Sequence, residues 1–160
     1  MNFKIFISYS THDLDQVNLL RQQLANTPVT IFVAEHSVLP SQELPKEISK
    51  AIQDCDLFVV LWSENARDSD WVSQEIGRAS ALQKTILPLV LTEGLKLPGF
   101  IGNLKYIPVF SEPNLALSQA REIAISEYNK KATQQKEQEQ KTTLFLMGVG
   151  ALFLWAINQK

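Results

Sequence analysis

Short apolar runs and helical stripes take turns along this chain. Lys4–Ser8, Thr30–Val33 and Tyr106–Phe110 are short strand-like runs, and Leu57–Trp62 and Ile86–Leu91 are continuously apolar. A run with no polar alternation marks a strand covered on both faces. Between these runs the apolar residues fall at helical spacing. Leu14, Val17, Leu20 and Leu24 form one stripe, with Asp13 as its cap and Gln16 as a capping-box partner. Leu44, Ile48, Ala51, Ile52 and Cys55 form a second, opened by Pro45 at its first turn. A third helix starts near Trp71, capped by Ser69 or Asp70. A fourth runs from Asn114 to about Lys131, with Leu117, Ala120, Ile123, Ala124 and Tyr128 inward. Strand–helix alternation of this kind predicts an α/β fold, a parallel sheet with helices on both faces joined by right-handed crossovers. Ligands of such sheets sit at the carboxyl ends of the strands. The loops after Ser8, Val33 and Trp62 gather there, together with the start of the Trp71 helix.

The pattern changes after residue 128. Residues 129–141 hold one apolar side chain, Ala132, and read as a polar linker or helix extension. Leu144–Ile157 is then fourteen residues without a polar side chain, lengthened to sixteen by Thr142 and Thr143. Residues 142–160 are therefore expected to be a C-terminal hydrophobic helix crossing a membrane as a single-pass anchor, although a span usually needs about 17–25 residues. Lys130, Lys131, Lys136 and Lys141 precede the run and Lys160 alone follows it, which places the preceding domain in the cytoplasm. The competing reading is a hydrophobic helix buried in an oligomer.

Composition narrows the classes. The chain has 160 residues, about one domain with its tail, and a net charge of −2, which offers no broad nucleic-acid footprint. Its single cysteine, Cys55, excludes an internal disulfide. The two histidines, His12 and His36, lie in loops and give no metal-site spacing. The N-terminus enters a strand directly and lacks the pattern of a signal peptide.

One stretch carries candidate chemistry. In Trp71–Ala79, Val72, Ile76 and Ala79 form a core-facing stripe, while Trp71 and Glu75, four apart, share a second face. On composition alone Glu75 there is a solvated charge, and Trp71 is a core or edge aromatic.

Phe6-Ile7-Ser8-Tyr9-Ser10 with Asp13, Ile52 with Asp56–Ser63, and Ser69–Glu75 together resemble the TIR (Toll/interleukin-1 receptor/resistance protein) domain family over roughly Phe3–Tyr128. The resemblance implies a flavodoxin-like five-stranded parallel sheet over a TIR domain at 1–128, followed by the 129–141 linker and the 142–160 tail. It also implies cleavage of NAD+ at the nicotinamide–ribose bond, with NAD+ as substrate and no cofactor. That leaving group is already cationic, so one carboxylate suffices where ordinary glycosidases need two. Glu75 matches the family's catalytic glutamate, able to hold the ribose hydroxyls and stabilise oxocarbenium-like charge. Trp71 would wall the nicotinamide end. Tyr9 and Ser10 match positions that line the nucleotide, and Glu35 and Ser63 lie in the same strand-end crevice. The chain departs from the family pattern after its second strand, with Ala34 where an acid is common and Ser41, after Pro40, where glycine is common.

The expected partners are further copies of the chain, NAD+ and a membrane, with no nucleic acid, and clustering is the expected switch. A short TIR chain with a tail fits a prokaryotic defence pathway. The product, ADP-ribose or a cyclic form, depends on whether water or the adenine attacks. The alternatives are a non-catalytic TIR–TIR scaffold and an effector that perturbs a membrane through its tail.

Overall fold

The computed structural model describes residues 2–33 and 46–157, with side chains through residue 146. A five-stranded parallel sheet has the order β2-β1-β3-β4-β5, from β1 (Phe3–Ser8), β2 (Val29–Val33), β3 (Leu57–Trp62), β4 (Thr85–Val90) and β5 (Ile107–Pro108). The flavodoxin-like strand order has its switch between β1 and β3, where a crevice opens at the carboxyl ends. Helices α1 (Leu14–Leu24), α2 (Lys46–Asp54), α3 (Glu64–Arg67), α4 (Asp70–Ala81) and α5 (Pro113–Ile157) flank the sheet.

Position in the sheet explains each strand's pattern. Every residue of β3, the central strand, is buried, as its unbroken apolar run requires. At the β2 edge, burial alternates residue by residue. β5 is shorter than the Tyr106–Phe110 run, and Pro108 sits in this edge strand while the next N–H, of Val109, donates to the Val90 carbonyl at 2.8 Å.

The sheet separates two apolar layers. Phe3, Ile5, Ile7 and Tyr9 pack with Val17, Leu20 and Leu24 of α1 and Ala116, Leu117, Ala120 and Ala124 of α5. Phe6, Phe58, Val60 and Trp62 pack on the other side with Ile48 and Ile52 of α2 and Val72, Ile76 and Ala79 of α4. Phe6 stacks on Phe58 at 5.3 Å between centroids and on Phe32 at 5.4 Å. Cys55 is a small buried hydrophobe whose thiol donates to the Ile52 carbonyl, and burial pushes its pKa up to about 11.

Three features differ from the sequence expectation. Asp13 stands at the N-cap of α1 but makes no side-chain cap bond there, because its carboxylate is used elsewhere. The stretch Ser63–Asp68, expected as a loop, contains α3, a four-residue helix capped by the Ser63 hydroxyl. At the C-terminus, no break divides domain, extension and tail. α5 is a single 45-residue helix, and Lys131 Nζ within it donates to Asp56 Oδ1, just before β3, at 2.6 Å. Leu144, Phe145 and Leu146 are exposed on it. Among the described residues no helix is long and apolar enough to cross a membrane. The transmembrane helix expected over 142–160 is therefore not supported. Its fourteen-residue apolar core rises only about 21 Å as a helix, against a hydrocarbon thickness of ~30 Å.

Candidate active site

Strand alternation decides what meets at the end of β1. Side chains of a strand point to opposite faces in turn. Ile7 and Tyr9 enter the α1/α5 layer, so Ser8 faces the α2/α4 layer. Across from it, Ser69 caps α4 by accepting from the Val72 N–H, which places Trp71 in the first turn and Glu75 in the second. The Ser8 hydroxyl donates to Glu75 Oε2 at 2.5 Å. Both residues are 0 % exposed.

Glu75 is therefore no solvated charge. It lies inside the core beside Ile76, one position from the stripe that α4 presents to the sheet. Burial raises its pKa to about 8, and the Ser8 hydrogen bond acts in the opposite direction by favouring the ionised form. A carboxyl group with this balance changes charge near neutral pH, which is the property of a working acid, base or electrostatic stabiliser.

A cavity of about 350 Å³ opens nearby, at the carboxyl ends of β1 and β3. Ser10, Thr11 and His12 form one wall, and Asn65, Asp68, Ser69 and Trp71 form the other. A buried bridge holds the walls together. Asp13 Oδ2 accepts from the Ser63 hydroxyl at 2.5 Å, and Asp13 Oδ1 accepts from the Asn65 amide at 3.1 Å. Ser63 in turn accepts from the Ala66 N–H at 3.0 Å, so one hydroxyl both starts α3 and fastens the first loop. The Asp13 N–H closes its own turn on the Ser10 carbonyl.

The expected site residues thus divide into groups. Ser10 and Trp71 line the cavity. Glu75 is packed against Ser8 at the end of β1, next to Ser10 in sequence. Tyr9 is in the opposite layer, among α1 and α5 side chains. Ser63 is occupied by the Asp13 bridge and the α3 cap. Glu35 lies outside the described residues. Ser8, His12, Asn65 and Asp68 were not anticipated, and Asp13 was expected only as a cap. For Ser8 a signal was available: a serine flanked by Ile7 and Tyr9 must face the sheet side opposite to them. The Asp13 bridge joins residues fifty apart and has no local signature.

Known proteins agree with this architecture. A family model described as TIR domain matches residues 5–123. A protein of Brachypodium distachyon, a probable 2′ cyclic ADP-D-ribose synthase, is 25% identical over 112 residues, 66% of this chain and 50% of that protein. The chain thus spans about half the length of that curated relative. The TIR domain of a Toll-related receptor of Hydra magnipapillata superimposes with a TM-score of 0.61 at 18% identity, over 78% of this chain and 97% of that one. A CMP N-glycosidase of Clostridium botulinum does so with a TM-score of 0.54 at 22% identity, over 73% and 97%. These two likenesses concern the fold. With the family match covering most of the chain, its sheet order and its strand-end site, this protein belongs to the TIR domain family.

Proposed function

We propose that this TIR chain cleaves NAD+ at the nicotinamide–ribose bond, with Glu75 as the catalytic carboxylate, and that self-association turns the reaction on. The observation that carries the reading is the setting of Glu75. An acidic side chain is fully buried, held by a serine at the carboxyl end of β1, and neighboured by a strand-end cavity. Burying a carboxyl group is costly, and nothing in the packing of α4 calls for it at that position, since Val72, Ile76 and Ala79 already supply the core stripe. The Brachypodium relative, named for making a cyclic ADP-ribose, supports a substrate of this class.

The chemistry follows from the leaving group. Nicotinamide departs neutral from a cationic N-glycoside, so no acid is needed to protonate it. The ionised Glu75 carboxylate stabilises positive charge on the ribose as the bond breaks. Trp71 and Ser10 line the entrance. Water or the adenine base then completes the reaction, giving ADP-ribose or a cyclic product. In the single chain Glu75 is shut away at 0 % exposure, so substrate reaches it only after the strand-end loops rearrange. Contact with another copy provides that rearrangement.

The same burial favours one rival, a TIR–TIR scaffold without turnover, in which Glu75 is a core residue. The deciding experiment incubates concentrated full-length chain with NAD+ and measures nicotinamide release for the wild type and Glu75→Gln. Release by the wild type and loss in the variant are expected. Equal NAD+ loss in both, or none in either, would overturn the enzyme reading.

A further inference from the structure

We propose that Ser8 is a positioning residue for Glu75: the hydroxyl at the end of β1 holds the carboxyl group in one orientation on the inner face of α4. The proposal rests on the reading of Glu75 as the reacting carboxylate.

The geometry supports it in three ways. The Ser8 hydroxyl donates to Glu75 Oε2 at 2.5 Å, a close and direct hydrogen bond. The two residues are 67 positions apart and both fully buried, so the contact is made by the fold and shielded from competing water. Ser8 belongs to the ladder between β1 and β3, where it pairs with Val60, and that register fixes its Cα more firmly than any loop would.

Among the described residues Ser8 has no other side-chain task. It caps no helix and is absent from the cavity wall, which begins at Ser10. A serine that shares its face of β1 with Phe6, in the layer of Phe58, Val60, Val72 and Ile76, leaves a polar atom in apolar surroundings. The Glu75 carboxylate satisfies that atom. In turn, the hydroxyl favours the ionised carboxylate against the desolvation that raises Glu75 to about 8. Ser8 therefore acts through Glu75 and does not touch substrate.

Two measurements on the full chain test this. The first is isotope-edited infrared spectroscopy of protein carrying carboxyl-labelled glutamate, without NAD+, with Glu75→Gln used to assign the Glu75 band. Replacing Ser8→Ala is expected to move that band while the melting curve stays cooperative. An unmoved band would overturn the proposal. The second is kinetic. Ser8→Ala is expected to lower kcat about 10- to 100-fold with KM changed less than about twofold. Ser8→Thr, which keeps the hydroxyl and suits a strand, is expected to recover most of kcat. A KM effect as large as the kcat effect, or no recovery in a folded Ser8→Thr protein, would also overturn it. A wild type that moves its band on Ser8→Ala but releases no nicotinamide sinks the enzyme reading alone, because the spectrum reads the Ser8–Glu75 bond without turnover.

Discussion

The Ser63 hydroxyl donates to the Asp13 carboxylate at 2.5 Å and joins the loop after β1 to the turn after β3. Asp13, nearly buried, also takes the Asn65 amide, so one carboxylate holds both walls of the strand-end cavity. Asp13→Ala leaves Ser63 and Asn65 without that acceptor. A cost of about 1–3 kcal/mol is expected, read as a lower urea midpoint at unchanged slope. NAD+ binding, measured by calorimetry, is expected to weaken as the walls separate. Unchanged stability would show that water replaces the carboxylate without loss.

Glu75 makes stability depend on pH in a definite direction. Its folded pKa, about 8, lies above the ordinary value of 4.5. Between those values the folded chain holds a proton that the unfolded chain has lost. The contribution of the protonated group is thus complete below about pH 4.5 and falls away as pH rises through about 8. Within the window the slope is about 1.4 kcal/mol per pH unit, an upper limit for a single group. Denaturation of the wild type and Glu75→Gln from pH 5 to pH 9 checks this. The wild type is expected to lose stability relative to the variant as pH rises, and parallel curves would contradict it.

On the proposed reading turnover carries the same signature. The ionised carboxylate is then the active form, so the low residual rate left to unclustered chain is expected to climb with pH toward about 8. Clustering that admits water or substrate beside Glu75 reduces desolvation and moves the acid limb to lower pH. Nicotinamide release against pH, at dilute and concentrated protein, separates the two limbs.

Trp71 is half-buried on the cavity wall, outside the core stripe of Val72, Ile76 and Ala79. Trp71→Ala is expected to raise KM for NAD+ several-fold, in keeping with the roughly 0.5–1.5 kcal/mol of an aromatic contact, while the melting temperature moves little. A large loss of stability with KM unchanged would make Trp71 a packing residue.

Packing of α5 on the domain ends near Lys131, which binds Asp56, and described side chains from 133 to 146 are exposed. Removing residues 136–160 is therefore expected to shift the domain's stability by less than about 1 kcal/mol, within the range of surface changes. Light scattering of the truncated chain then tells whether self-association runs through the TIR domain or through the apolar run.

Much of the fold was visible in the residues because its central elements are extreme. Leu57–Trp62 can be little else than a strand covered on both faces, and the Trp71 helix announces itself by Ser69 and the Val72–Ile76–Ala79 stripe. Glu75 was picked out by family resemblance, whereas its burial was not. Its spacing from Trp71 fits a second face of the helix equally well, and only the seating of α4 on β1 decides between solvent and core. Helix α3 escaped notice because four residues carry no period. The transmembrane expectation followed from apolar content and gave too little weight to length.

The alternation at the end of β1 has a consequence for reading variants of this chain. Ile7 and Tyr9 belong to the α1/α5 layer, and Ser8 and the cavity residue Ser10 to the opposite side. Four consecutive codons are thus expected to yield two separable phenotypes in turn. On the proposed reading, changes at the odd positions are expected to deplete the protein in the cell, and changes at the even positions to silence it with less loss of abundance.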